Sequence, residues 1–530
     1  MHAVVLRDGW SAEFPLRKFR SIFKPERIMA DRSGDQRGPA QDTKANPAYG
    51  EAPLAAPVGL SGRALALGYL VVIAAGLALA ASVPIPPDHA WGEAATALGI
   101  VGLAMMALQF FSSGRFRSLS GRIGIDRSIA FHRWAARILL IAVILHPLLY
   151  TVPTFLADPA RGFDRLSMMF LGERARTGLI AWLAVIAIVV LAVLRDRVRL
   201  PYEAWRGLHA VLGALAVGFG VAHALAVGTY ASALSMQVYW YILAALALSS
   251  LVVVHLWRGV SFRRDPWRLV SNTEKARGLW ELTFHRIDGQ PFPYRAGQFV
   301  WLATAPRRQS LFDHPFSIAS SPRERDLRLI IKEAGDYTNR IGELAPDTLA
   351  GIDGPHGAFT ADNKEADAIL LLAGGVGIAP IMGLLRDFAR AGETRPIRAI
   401  VAAGTRDRLV GREEIEAMRA HLDLKVWFVL DDPPADWDGE SGIVDEALLT
   451  RALDGLDPAR TLSMACGPTA FMTSTADTLI DLGLDPDNVH YERFDYDEGA
   501  LSRLDIAQRW RFRALGAALL VGTLAFALRG

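Results

Sequence analysis

From Ala64 to Trp257 the chain alternates long apolar runs with short polar connections. Six runs, Ala64 to Val83, Ala94 to Phe111, Ile129 to Tyr150, Thr177 to Leu194, Trp205 to Val227 and Val238 to Trp257, have the length that crosses a hydrocarbon core of about 30 Å. The pattern predicts a six-helix transmembrane domain. Residues 1–60 are polar and lack sustained periodicity, so a disordered N-terminal segment is expected. No apolar stretch follows the basic residues of Met1 to Ala30, which argues against a secretory signal. After Arg264, short alternating stretches such as Gly278 to Ile287, Phe299 to Ala303 and Leu327 to Glu333 predict an antiparallel β-barrel. From Ala368, apolar strands (Ala368 to Ala373, Ile397 to Ala403, Lys425 to Leu430, Thr461 to Ala465, Asn488 to Arg493) alternate with helical stretches, the pattern of a doubly wound parallel α/β sheet. The expected fold is multi-domain: a transmembrane domain at 61–260, a barrel at 262–364, an α/β domain at 366–497 and a hydrophobic C-terminal segment at 509–529.

Composition narrows the chemistry. One cysteine in 530 residues cannot form an internal disulfide or supply the thiolates of an iron–sulfur cluster, so any redox work needs other carriers. A net charge of +2 gives no basic face for nucleic acid. The arginines are unevenly placed: Arg115, Arg117, Arg122 and Arg127, then Arg195, Arg197 and Arg199, then Arg258, Arg263 and Arg264 fall in alternate connections. By the positive-inside rule these connections are cytoplasmic, which puts both ends of the six-helix unit on that side. The connection from Thr151 to Arg176 breaks the pattern, since Arg161, Arg165, Arg174 and Arg176 are only partly balanced by acids.

Two of the predicted spans carry a pair of histidines each, which are costly in a membrane and point to function; His255, at the cytoplasmic end of the sixth, has no partner at the same spacing and is expected to be structural. The third holds His132 and His146, the fifth His209 and His223, each pair a step of 14 residues apart. Fourteen residues advance a helix by about 21 Å and just under four turns, so both imidazoles of a pair share a face. The two helices run the same way, which matches His132 in depth with His209, and His146 with His223. Such an arrangement can clamp two haems, each with two imidazole axial ligands. A core or interfacial role is the alternative for any one of the four. Arg133, Arg137 and Arg206 are placed to meet haem propionates or to snorkel to the interface.

In the α/β half, Gly374, Gly375 and Gly377 lie between the first strand and its helix, where glycines let backbone approach a pyrophosphate at a helix N-terminus. Thr405 and Arg406 follow the second strand and could hold a ribose 2′-phosphate, favouring NADPH over NADH; a solvated charged loop is the alternative.

Taken in order, the four histidines, His314-Pro315-Phe316-Ser317, Gly335-Asp336-Tyr337-Thr338, Gly354-Pro355-His356-Gly357, the Gly374 turn and Cys466-Gly467-Pro468 resemble the ferric reductase and NADPH oxidase superfamily, in a bacterial form carrying its ferredoxin-reductase-type dehydrogenase on the same chain. The resemblance spans about Ala64 to Tyr496. It implies FAD and NADPH in a cytoplasmic dehydrogenase, two b-type haems in the bacterial inner or plasma membrane, and electron transfer to dioxygen or a ferric chelate outside. It also admits accessory membrane or soluble subunits, and a haem subunit or redox sensor is the alternative function. Phe316 would pack on the flavin and Ser317 bond near its N5, with His314 and Pro315 shaping the strand. Tyr337 and Thr338 would hold the FAD pyrophosphate; Cys466, the catalytic candidate, and Gly467 would border the nicotinamide. Phe316 as core, Thr338 as a helix cap and Cys466 as a small buried hydrophobe are the alternatives. The family's terminal aromatic is matched by Phe494 or Tyr496, but here the chain continues through Arg509, Arg511 and Arg513 into an apolar run from Ala514 to Leu528. That run is short for a span, so it is expected to be an interfacial anchor or a tilted seventh helix.

Overall fold

The computed structural model describes residues 59–113, 115–195, 197–198, 200–305, 310–361, 365–493 and 501–529. All but the last two residues of the 1–60 segment lie outside this set. The apolar runs form helices α1 (Gly62–Ala81), α2 (Ala90–Gln109) and α3 (Ile125–Ala157). After α3, the chain between Thr151 and Arg176 is helical where the sequence suggested a loop: α3 runs on to Ala157, and α4 (Pro159–Leu171) follows. Asp158 caps α4 by accepting from the backbone N–H groups of Ala160 and Arg161 at 2.9 and 3.3 Å, with Pro159 at the first position. Then come α5 (Arg176–Val193), α6 (Tyr202–Val227) and α7 (Leu234–Leu251). A π-helical stretch at Val252–Trp257 carries α7 on to Arg264. Helix α2 lies at the centre, and its buried face is rich in Gly92, Ala95, Ala97, Gly102, Ala104 and Ala107. Small residues of this kind let membrane helices approach closely.

Six strands, β1 (Trp267–Ala276), β2 (Leu279–Arg286), β3 (Phe299–Thr304), β4 (His314–Ser317), β5 (Leu327–Lys332) and β6 (Leu349–His356), form a sheet in the order β4-β3-β6-β1-β2-β5 with antiparallel pairings. Its two edges meet at a bridge between Ile318, just past β4, and Leu329 in β5. This sheet packs against the end of α7: Phe262 lies so close over Gly351 that a side chain there would collide with its ring.

A second, parallel sheet has the order β10-β9-β8-β7-β11-β12. It contains β7 (Ala368–Gly374), β8 (Ile397–Ala403), β9 (Leu424–Leu430), β10 (Glu440–Ser441), β11 (Thr461–Cys466) and β12 (Val489–Tyr491). Between its strands run α8 (Ile378–Ala391), α9 (Arg412–Met418), α10 (Glu446–Leu453) and α11 (Thr469–Asp481). Every residue of β7 is buried, as in a parallel strand covered on both faces.

The chain ends in α12 (Arg503–Ala527), a helix of 25 residues. Among the described residues, seven helices are thus long and apolar enough to cross a membrane, one more than the six apolar runs. The apolar run alone understated α12 because its first three turns are polar. They are helical because Ser502 accepts from Asp505 N–H while the Asp505 carboxylate receives the Ser502 N–H, a reciprocal cap.

Candidate functional site

The 14-residue step places His132 and His146 along one face of α3, and His209 and His223 along one face of α6. The rings of His132 and His209 face each other with centroids 6.2 Å apart. Two metal–nitrogen bonds of about 2 Å, plus the two ring radii, span roughly that distance. His132 Nδ1 lies 2.9 Å from Ser112 Oγ, and the Gln109 amide donates to the His132 carbonyl at 3.1 Å. His146 donates from Nδ1 to the Ala95 carbonyl at 2.7 Å, which fixes the tautomer and leaves Nε2 with its lone pair. The Nδ1 atoms of His209 and His223 are buried without a hydrogen-bond partner among the described residues. Two glycines make room for the far pair. A Cβ on Gly99 would stand 2.7 Å from His146 Cε1, and one on Gly178 would stand 2.6 Å from His223 Nδ1. Among the described residues no three His, Cys, Asp or Glu side chains gather as a metal-ligand set. Paired neutral imidazoles in an apolar bundle therefore suit an iron whose other donors come from a macrocycle, and the residues present fit haem.

At the near end, the bundle meets the first sheet through charge. Asp313, fully buried ahead of β4, receives Arg115 Nη2 at 2.9 and 2.7 Å on its two oxygens and Arg206 Nη1 at 3.0 Å. Arg206 also donates to the Asp313 carbonyl at 2.9 Å. Its guanidinium therefore serves the contact between domains, where the sequence suggested a propionate or the membrane interface. Arg115 further lies 3.9 Å over the Trp301 ring. Arg258 donates to Asp353 at 2.6 Å and to the Arg115 carbonyl. Burial raises the Asp353 carboxyl, but the His356 hydrogen bond and the charges of His356, Arg258 and Arg115 more than reverse this, leaving it at about 2.

Strand β4 presents His314 and Phe316 on one face, since alternate residues of a strand point the same way. Tyr337 stacks on His314 with centroids 4.2 Å apart and lies 6.3 Å from Phe316. Burial pushes the Tyr337 phenol up to about 12, against a hydrogen bond with Thr304. Burial also lowers the His314 imidazole, although Glu203 lies 3.6 Å away. Pro315 pairs with Trp301 of β3, and Ser317 is buried beside Phe299. The Thr338 hydroxyl accepts from Ala334 N–H at 2.9 Å and opens a 3-10 turn, Thr338–Glu343, whose preceding cap position is Tyr337.

In the second sheet, Gly374 ends β7, and the turn Gly375–Gly377 leads into α8. Gly375 has φ +54°, in the left-handed region. A Cβ on Gly377 would run into the Cys466 carbonyl, and one on Gly467 would stand 3.0 Å from Gly374 Cα. The two glycine loops are thus in backbone contact, a surface only glycines permit. Cys466 is buried at the end of β11, and burial pushes its thiol far above the ordinary range. It is a neutral, compact wall rather than a thiolate.

Glu492 escaped the sequence reading. It follows β12, is 3% exposed, and neither carboxylate oxygen has a hydrogen-bond partner among the described residues. Burial first, then repulsion from Asp126, drives its carboxyl well above the usual range. It borders Gly357, where a Cβ would stand 3.2 Å from Glu492 Oε1. Its place near the end of the predicted strand Asn488 to Arg493 carried no mark of this burial. Thr405 and Arg406 stand apart from this cluster on an exposed turn. Thr405 donates to Asp407 at 2.5 Å, and Arg406 donates to Asp436 at 2.8 Å. Phe494 and Tyr496 lie outside the described residues.

Family models match three consecutive regions: a ferric reductase like transmembrane component at residues 98–220, an FAD-binding domain at 270–363 and an oxidoreductase NAD-binding domain at 371–477. Ferredoxin–NADP reductase B of Sorangium cellulosum is 30% identical over 237 residues, covering 43% of this chain and 96% of that protein. A flavohemoprotein of Bacillus subtilis is 25% identical over 237 residues, covering 43% of this chain but only 59% of its own length. Among solved structures, a flavohemoglobin from Malassezia yamatoensis matches with a TM-score of 0.41 and 19% identity, over 70% of this chain and 99% of that one. An apolar bundle of the first kind, followed by flavin and nucleotide domains of the second and third, makes this an integral membrane oxidoreductase. The chain belongs to the ferric reductase and NADPH oxidase superfamily, as a ferric-reductase-like transmembrane component fused to FAD-binding and NAD-binding reductase domains.

Proposed function

We propose that the protein carries electrons across a membrane from NADPH to an acceptor on the far side, dioxygen or a ferric chelate. The observation that carries this reading is the His132–His209 pair, two imidazoles 6.2 Å apart at the end of the bundle where the flavin strand docks. His132 and His209 would hold one b-type haem and His146 and His223 a second, with the dehydrogenase in the cytoplasm, on the side of the Arg115, Arg195 and Arg258 connections. FAD, when bound, converts the two-electron hydride of a nicotinamide into single-electron deliveries that haem iron accepts.

The chain's own residues prepare that chemistry. Gly374, Gly375 and Gly377 open the backbone to a pyrophosphate at the start of α8. Cys466 and Gly467 wall the nicotinamide side, Phe316 and Ser317 line the flavin side, Tyr337 and Thr338 flank the second pyrophosphate, and Phe494 supplies the terminal aromatic. Glu492 offers a buried protonated carboxyl beside Cys466, suited to holding a proton close to the flavin. Thr405 and Arg406 would select NADPH once Arg406 exchanges Asp436 for the 2′-phosphate, and NADH remains a substrate without that exchange.

The test is spectroscopic and then vectorial. Reduced-minus-oxidised spectra of the purified chain should show b-type haem, with the near-end signal lost in His132→Ala or His209→Ala and the far-end signal in His146→Ala or His223→Ala. Haem content unchanged in all four variants would refute the reading. Proteoliposomes loaded with NADPH then separate the acceptors: superoxide outside marks an oxidase, and oxygen-independent reduction of an external ferric chelate marks a ferric reductase.

A further inference from the structure

Helix α6 carries Tyr202, Trp205 and His209 at positions i, i+3 and i+7, one face of a helix. Strand β4 carries His314 and Phe316 two residues apart, one face of a strand. The two faces meet edge to edge. Trp205 lies 5.3 Å from His209, Tyr202 stacks on Trp205 at 6.3 Å and 15°, His314 lies 5.6 Å from Tyr202, and Tyr337 stacks on His314 at 4.2 Å and 13°. The row is held rigidly. The Trp205 indole donates to the Leu191 carbonyl at 3.4 Å, Glu203 lies 3.6 Å from His314, and Arg195 sits 5.2 Å over Tyr202 and 5.0 Å over Trp205. Neither ring of α6 binds a phosphate, a metal or a nucleotide in the reading above. Both stand between the strand assigned to the flavin and the histidine assigned to the near haem.

We propose that Tyr202 and Trp205 are positioning residues for flavin-to-haem electron transfer, filling the gap between β4 and His209 with neighbouring conjugated rings. The inference rests on the proposed function, since it needs a flavin at β4 and a haem at His209. One electron leaves the reduced flavin and one ferric iron becomes ferrous. The four rings end unchanged, because reduced flavin can neither oxidise nor reduce a tyrosine or tryptophan, so they act as the medium and not as carriers. Electronic coupling falls exponentially with the empty distance between redox groups, and a continuous row of rings both shortens the gaps and fixes the orientation of the His209 imidazole through its contact with Trp205.

Anaerobic stopped-flow mixing of the flavin- and haem-loaded full chain with NADPH separates two events, flavin bleaching and appearance of the reduced haem band. Trp205→Leu should slow the second by between about ten- and a hundredfold, the scale on which an ångström of misplacement acts, and leave the first at the wild-type rate. Trp205→Phe should restore most of it. Low-temperature electron paramagnetic resonance of oxidised Trp205→Leu should show a shifted signal from the near haem, whose imidazole has lost its packing partner. If Trp205→Leu loses its haem, Tyr202→Leu decides, because Tyr202 has no ring contact with His209 and its removal should slow haem reduction alone. Haem reduction at the wild-type rate in a haem-loaded Trp205→Leu or in Tyr202→Leu overturns the inference and leaves the proposed function intact. Absence of haem from the wild-type chain overturns both.

Discussion

Arg115, in the connection between α2 and α3, and Asp313, 198 residues later just ahead of β4, form a two-pronged ion pair in which the carboxylate is wholly buried. Removing one member of such a pair leaves an uncompensated buried charge and costs about 3–5 kcal/mol. Asp313 answers two guanidiniums, Arg115 and Arg206, so Asp313→Asn should loosen the docking of β4 on the bundle more than it disturbs either domain. The expected outcome is a fall in NADPH-driven haem reduction relative to NADPH-driven reduction of a soluble dye by the flavin. Measuring both rates on one preparation checks it, and an unchanged ratio would count against a docking role.

Glu492 makes a pH prediction whose sign is fixed by its surroundings. Burial holds the folded-state carboxyl well above the usual range. The unfolded carboxyl titrates near about 4.3, so above that pH the unfolded chain has released a proton that the folded chain retains. Stability is therefore greatest below that value and falls with rising pH, by about 1.4 kcal/mol per unit, until the folded carboxyl itself ionises. Glu492→Gln removes this slope. Thermal denaturation midpoints of the two proteins in detergent should diverge as the pH is raised from about 4.3, with the variant the more stable at the upper end. Parallel curves would mean that Glu492 is ionised in the folded protein.

What the sequence disclosed and what it hid divide along physical lines. The spans were legible because twenty apolar residues have few other uses, and the strands of the second sheet because a buried parallel strand is nearly all Val, Leu, Ile and Ala. The histidine pairs were legible because a repeated step of 14 is a statement about one helix face. Asp313 was hidden by its partners, which come from a connection and a helix more than a hundred residues away. Glu492 was hidden because its chemistry is made by burial, and nothing in Tyr491-Glu492-Arg493 announces a carboxylate without a hydrogen bond. Arg406 shows the reverse case, a residue type suited to a phosphate that has found Asp436 as its neighbour. For α12 the signal was present, Ser502 and Asp505 at cap spacing, but hydropathy counted only the apolar half.

Gly178 tests the far histidine pair without touching a histidine. A methyl group at this position would stand 2.6 Å from His223 Nδ1, inside van der Waals contact, so either α5 or the imidazole must move. Overpacking of this kind costs about 1–3 kcal/mol. Gly178→Ala should weaken or abolish the far-end haem signal and spare the near-end one, and Gly99→Ala should act likewise through His146. The haem spectrum at substoichiometric reductant resolves the two. Equal loss of both signals would point to general unfolding of the bundle.

Glu93 is 1% exposed inside the bundle, where it accepts from the Tyr230 hydroxyl at 2.8 and 2.9 Å and from Arg529 Nη2 at 3.0 Å. Arg529 also donates to the Tyr230 oxygen and lies 3.8 Å over the Phe526 ring. A carboxylate within a membrane helix is tolerated when a cation answers it, and here the cation arrives from the far end of α12. The near end of the same helix is tied to the nucleotide domain, with Arg493 donating to Asp505 at 2.6 Å and Arg503 to Asp481 at 2.6 and 3.0 Å. Both attachments hold only if α12 passes the whole length of the bundle, so a C-terminal tag should be accessible from the side opposite the nucleotide domain. Arg529→Ala should destabilise the protein by about 3–5 kcal/mol through the abandoned Glu93 charge, and Arg529→Lys should recover only part of this because an ammonium lacks the planar fork. Exchanging the charges, Glu93→Arg with Arg529→Glu, should recover more than either single change allows, read as the denaturation midpoint in detergent. A tag on the same side as the nucleotide domain, together with an unaltered midpoint in Arg529→Ala, would show that α12 does not dock through this pair.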